Sequence, residues 1–304
     1  TFTLLGLLGL TCGYARAAAG DAKGAMLAAV SIVLATLLAT ACKANGALLP
    51  LLAWLVWGLI LRRQPMAETA ASRAFAWPLR TAITLPSLLV IAYLIAAGWS
   101  AFVEGYPVNR PWSPTQRLLT EARVLCEYLG LLWLPRPYTA GLFNDAVVVS
   151  KSLWEPITTL LSVLFLAALL TTSFVLRKRQ PALAFAISFY FAGHLLESTV
   201  IGLELYYEHR NYLPALPMFW PLGLWLAGIR RSATTPKILL KCAGVMLMAL
   251  PAFLALQTHM RARLWGNAEQ QAMVWAAKNP LSPRAQTYAA LVELETGRVS
   301  AAIT

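Results

Sequence analysis

Ala25-Met-Leu-Ala-Ala-Val-Ser-Ile-Val-Leu-Ala-Thr-Leu-Leu-Ala-Thr-Ala-Cys42 runs without one charged side chain, and Lys43-Ala-Asn-Gly46 and a second apolar run follow at once. A helix rises about 1.5 Å per residue, so roughly 20 such residues cross the hydrocarbon of a bilayer. Two runs joined by a short polar turn therefore read as a membrane hairpin. The pattern recurs along the chain, predicting spans at 1–14, 25–42, 47–61, 81–103, 157–176, 181–197, 213–229 and 238–257. The first and third are short, and the recurrence excludes a cleaved leader on a globular protein. The expected fold is all-α: a polytopic membrane helix bundle of about eight spans, followed by the start of a helical repeat solenoid.

Composition agrees. The 304 residues are 59% hydrophobic and only 12% charged, whereas soluble domains carry about a quarter charged residues. The net charge of +12 invites a nucleic-acid reading, but the basic residues are not interleaved with stacking aromatics. Their distribution is a topology signal instead. Loops around Arg16, 62–80, 177–179 and 230–241 hold 13 Lys/Arg against two acids, Asp21 and Glu68, whereas the opposite loops up to Arg210 hold 7 against 8 and the tail after Gln257 holds 5 against 3. The first set is expected to face the cytoplasm and the others the outside. Cys12, Cys42, Cys126 and Cys242 have neither metal-ligand nor disulfide spacing and read as small core residues.

The longest external connection, 104–156, opens with Gly105, Pro107, Pro111 and Pro114 and turns helical over 115–134, where Arg117, Glu121 and Arg123 interrupt apolar positions. Such a segment is too charged to span and is expected to lie in the interface, with its charges toward water. Trp112, Trp133, Tyr138 and Trp154 are expected as interfacial anchors. The division is thus a membrane domain at 1–257 and an external tail at 258–304. In the tail, Pro280, Ala290, Gly297 and Ala302 fall at offsets resembling one tetratricopeptide repeat. One unit cannot bury its own face, and Thr1 opens in mid-helix, so a longer protein is expected on both sides.

The sharpest chemical signal runs from His194 to Pro214. His194, Glu197, Glu204 and Glu208 step by three and four and would share one face of a continuous helix, interrupted by Ile201. Carboxylates near lipid must line a wet cavity, find partners or take a proton. One could serve as general base toward an acceptor hydroxyl, while His209 and Arg210 meet phosphate oxygens. A structural network pairing these acids with arginines is the competing reading. A divalent metal on His194 and Glu197, or on Glu204 and Glu208, is geometrically open, although no established ligand signature is present. Lys43, in the hairpin turn, is expected on the same side as Arg210 and would complete an anionic site, or would simply snorkel. Arg123, Glu127, Arg136, Asn144 and Asp145 could extend that surface or be solvated and paired.

These residues resemble the bacterial transmembrane-and-tetratricopeptide-repeat proteins related to the protein O-mannosyltransferases. The resemblance rests on Lys43 in its turn, on Leu134-Pro135, Gly141-Leu142 and Asp145, and on Glu197-Ser-Thr with Glu208-His-Arg-Asn-Tyr-Leu-Pro214. It implies a glycosyltransferase of GT-C type in a bacterial inner membrane, moving a sugar from a polyprenyl-phosphate donor to a protein or glycan acceptor on the external side, the acceptor being recruited by the repeat region. Glu197, Glu204 and Glu208 are then candidate catalytic residues. Lys43, Asp145, His194, His209, Arg210, Asn211 and Tyr212 are candidates for binding donor phosphate or substrate. Two positions depart from the pattern: Ala44 stands where an acid often follows the lysine, and Asn144-Asp145-Ala146 stands for an Asp-Trp. The resemblance also puts the catalytic Asp in a loop upstream of Thr1, in which case the residues here would bind donor phosphate and shape the acceptor site rather than perform the central proton transfer; the reading from the stripe itself makes one of the glutamates the base. Competing classes are an O-antigen ligase or polymerase, a non-catalytic assembly factor and a transporter.

Overall fold

The computed structural model describes residues 1–63, 70–108, 110–139, 141–145, 147–231 and 236–298. Glu68, Ala146 and Ala302, which entered the loop and repeat readings, lie outside them. The described residues are helical or irregular, with no strand among them. The helices are α1 (Phe2–Ala18), α2 (Lys23–Cys42), α3 (Leu49–Leu55), α4 (Ala70–Glu104), α5 (Pro114–Trp133), α6 (Thr158–Leu176), α7 (Pro181–His194), α8 (Trp220–Arg231), α9 (Lys237–Trp265), α10 (Ala268–Lys278) and α11 (Pro283–Glu295).

Among the described residues, five segments are long and apolar enough to cross a membrane: Lys23–Cys42, Ala44–Arg63, Leu79–Glu104, Thr158–Leu176 and Lys237–Trp265. Their surfaces need an apolar solvent, since protein buries only 11% of the apolar window in α4 and 6% of that in α9. The spans expected at 1–14 and 213–229 correspond to the shorter apolar helices Phe2–Ala18 and Trp220–Ile229. The span expected at 181–197 is shorter than predicted, with α7 stopping at His194. The boundary placed at 257/258 falls inside α9, which runs unbroken to Trp265.

The chain forms two compact units. The first comprises Thr1–Ala122, Ser150–Leu203 and Arg210–Pro221. Its core gathers Leu10, Ile32, Leu48, Leu49, Leu52, Leu79, Ile83, Phe185 and Phe189. The hairpin around Lys43 is present here: α2 ends at Cys42 and Lys43 is extended, and a mixed 3-10, α and π helix then begins at Ala44. Gly46 makes the turn possible. A Cβ there would lie 2.1 Å from the carbonyl carbon of Ala39, so the two backbones could not approach with any side chain in place.

The second unit comprises Arg123–Val149, Glu204–His209 and Leu222–Thr304. Its last two helices start from side-chain caps. Asn267 accepts from the N–H of Gln270 at 2.9 Å, and Ser282 accepts from that of Ala285 at 3.2 Å with Pro283 at the first helical position. Ala272, Trp275 and Ala285 are buried in this unit, and the Tyr288 hydroxyl donates to Gln271 at 3.0 Å.

Candidate functional site

The acidic stripe expected on one helix does not exist as such, because residues 195–207 are turns, bends and irregular chain. Two causes act together. Ser198-Thr199-Val200-Ile201-Gly202 combines β-branched residues and glycine, which weaken a helix. A helix broken in an apolar setting must also have its carbonyls satisfied elsewhere, and in the first unit side chains do so. Tyr106 donates its hydroxyl to the carbonyl of Val200 at 2.6 Å, and Arg110 Nε donates to that of Gly202 at 3.0 Å. Arg117 donates to the carbonyls of Glu197 and Thr199, each at 2.8 Å, and to that of Leu203.

Arg117 and Glu121 overturn the expectation that the charges of 115–134 face water. They are 0% and 1% exposed, and Arg117 Nη2 lies 3.0 Å from Glu121 Oε1. Burial pushes the Glu121 carboxyl up to about 7, against the opposing pull of Arg117 and Arg210. Burial likewise lowers the proton affinity of the Arg117 guanidinium. Neither residue stood out in the sequence as part of a site. The one usable signal was their i, i+4 spacing, which puts them side by side once the segment is helical.

Several predicted site residues meet in this unit. Lys43 Nζ lies 2.9 Å from Glu197 Oε1, the lysine half exposed and the glutamate 9% exposed. Glu197 Oε2 is buried and accepts no hydrogen bond among the described residues. His194 and Asn211 are buried and face each other at 3.4 Å, Nε2 to Oδ1. Arg210 is buried and close enough to act on both Glu121 and Arg117. Tyr212, by contrast, is 79% exposed.

The remaining predicted residues belong to the second unit, where arginines hold the three acids. Arg284 on α11 bonds both oxygens of Asp145, with Nε to Oδ2 at 3.1 Å, and reaches Glu204 Oε1 at 3.1 Å. These bonds, led by Arg284 and helped by Ser282, hold Asp145 below the usual carboxylate range. Arg261 on α9 pairs with Glu208 at 2.8 Å and also reaches the carbonyl of Arg136 and the hydroxyl of Thr139. Tyr128 ties Tyr207 through both its N–H and its carbonyl. His209 is exposed, with its ring 5.1 Å from that of Tyr207. Sequence offered no pointer to Arg261 or Arg284, since an arginine 53 or 80 positions from its carboxylate leaves no local pattern.

Among the described residues no three His, Cys, Asp or Glu side chains converge as a metal-holding group. His194 turns to Asn211 and Glu197 to Lys43, whereas Glu204 and Glu208 each meet an arginine.

Fold and site thus define a class: an all-helical protein with several helices fit to cross a membrane and a buried, mixed-charge cluster at the broken end of one apolar helix. No protein-family model matches the chain, and neither a curated protein nor a solved structure matches it.

Proposed function

We propose that the first unit binds the phosphate of a polyprenyl-linked sugar, as part of a GT-C-type glycosyltransferase with its donor site on the external face of a bacterial inner membrane. The observation carrying this reading is the contact between Lys43 and Glu197. A half-exposed cation at a hairpin turn rests on a nearly buried carboxylate, and that carboxylate is electrostatically coupled to Glu121, which Arg117 and Arg210 also act on. A phosphate diester is an anion that such a lysine suits, since lysine and arginine bond its oxygens through charge-assisted hydrogen bonds.

The chemistry then divides between the two partners. When phosphate takes Lys43, the Glu197 carboxylate loses its cation and can accept a proton. The acceptor hydroxyl oxygen forms a bond to the anomeric carbon as that carbon's bond to the phosphate oxygen breaks. The electron pair leaves with the phosphate, and the hydroxyl proton passes to Glu197. On this reading Glu204, Glu208 and Asp145 shape the second unit through Arg261 and Arg284, and α10 with α11 forms a repeat hairpin that recruits a protein acceptor. No role for a resident metal enters the scheme.

The test uses the full chain in lipid nanodiscs. Lys43→Gln and Arg210→Gln are each expected to weaken binding of a polyprenyl phosphate by at least about tenfold, the loss of one charge-assisted contact. Glu197→Gln is expected to retain binding and abolish transfer of sugar to surface proteins. Unchanged binding in both cation variants, at normal expression, would remove the headgroup site.

A further inference from the structure

We infer that Arg117 is a positioning residue that sets the Lys43–Glu197 pair by gripping the backbone of the glutamate itself. The inference rests on the phosphate-site reading for its purpose, but the geometry stands apart from it. Arg117 is fully buried and each of its three guanidinium nitrogens donates to a carbonyl on the 197–203 segment, beginning with that of Glu197. Tyr106 and Arg110 take two more on the same segment. Five carbonyls, those of residues 197, 199, 200, 202 and 203, are thus held from the 106–117 stretch.

The consequence concerns Glu197. An irregular backbone can swing a side chain by several ångström, and its carboxylate then finds no fixed partner. Held at its own carbonyl, Glu197 projects from a fixed point and its Oε1 meets Lys43 at 2.9 Å. Glu121 supplies the counter-charge that lets a guanidinium remain buried there. The planar fork of arginine matters, because it spreads its donors over three nitrogens to meet three separate carbonyls, whereas a lysine offers all of its donors from one. Arg117 therefore acts through Glu197 and need not touch a ligand.

Lys43 itself reports on this arrangement, since an ammonium paired with a carboxylate reacts slowly with an amine-acylating reagent. The full chain in nanodiscs is labelled and acylation at each lysine is read by mass spectrometry. Glu197→Gln is expected to raise the Lys43 rate about threefold, in keeping with the few-fold effect of a partly exposed ion pair. Arg117→Gln is expected to match it, and Arg117→Lys to fall between that value and wild type. The exposed Lys151 and Lys278 should keep their rates, which a general loosening of the protein would not allow. A wild-type Lys43 rate in Arg117→Gln, or in Glu197→Gln, overturns the inference. If Arg117→Gln raises all lysine rates together, the double variant Tyr106→Phe/Arg110→Gln carries the test. A selective rise at Lys43 in that double variant supports the inference, and a wild-type rate overturns it. Polyprenyl phosphate is added separately to wild type. Failure to protect Lys43 would sink the headgroup reading while leaving the positioning result intact.

Discussion

Arginine meets carboxylate in both units, yet the two arrangements differ in kind. In the first unit Arg117 and Glu121 are sealed from solvent and the guanidinium holds backbone carbonyls as well. In the second, Arg284 and Arg261 are 43% and 37% exposed and tie one acidic loop or turn to a helix. Buried donors are costly to remove because the groups left behind have no water to turn to. Part-exposed pairs are screened, and each contributes little. The same residue types thus hold a buried irregular segment in one place and latch a part-exposed loop in the other.

The comparison breaks most readily at Arg117. Arg117→Gln is expected to destabilise the protein by about 3–5 kcal/mol, as breaking a buried pair does, read as a lowered thermal unfolding midpoint in detergent. A loss no larger than that at Arg284 would erase the distinction between the units.

Glu121 supplies the next largest effect, through pH. Its folded value of about 7 lies above the ordinary carboxylate value, so between roughly pH 4.5 and 7 the unfolded chain releases a proton that the folded chain keeps. This contribution is fully present below the lower value and is lost as pH rises through 7, on the order of 3 kcal/mol in all. Thermal midpoints measured from pH 4 to 8 should show that decline, and Glu121→Gln should flatten it. An unchanged slope in the variant assigns the titration elsewhere.

Backbone proximity comes third. Gly46→Ala forces a Cβ against Ala39 and is expected to cost about 1–3 kcal/mol, as overpacking does. The same variant should raise Lys43 acylation, because the turn that presents the lysine must shift. Stability lost without any change at Lys43 would separate the hairpin from the charged cluster.

Arg284→Ala should have the smallest effect, below about 1 kcal/mol after screening of a part-exposed pair. Its signature is local, a faster backbone hydrogen exchange around Phe143 and Asp145, where the α10–α11 hairpin holds the loop. Global destabilisation comparable to Arg117→Gln would make the second unit's latch as demanding as the first unit's buried pair.

Sequence alone was a good guide wherever a free-energy term is local and additive. Apolar runs such as 25–42 and 157–176 announce themselves because each residue contributes independently to transfer from water into hydrocarbon. The break at Lys43 was legible for the same reason. Tertiary structure decided what local pattern could not. The steps of three and four from His194 to Glu208 promised one helical face, but Tyr106, Arg110 and Arg117 satisfy the carbonyls of a broken chain and so make the break affordable. Whether a carboxylate meets lysine, arginine or nothing depends on residues such as Lys43 and Glu197, or Asp145 and Arg284, that are more than 130 positions apart. Pairing of that kind is set by which backbones approach, and a period in the sequence carries no record of it.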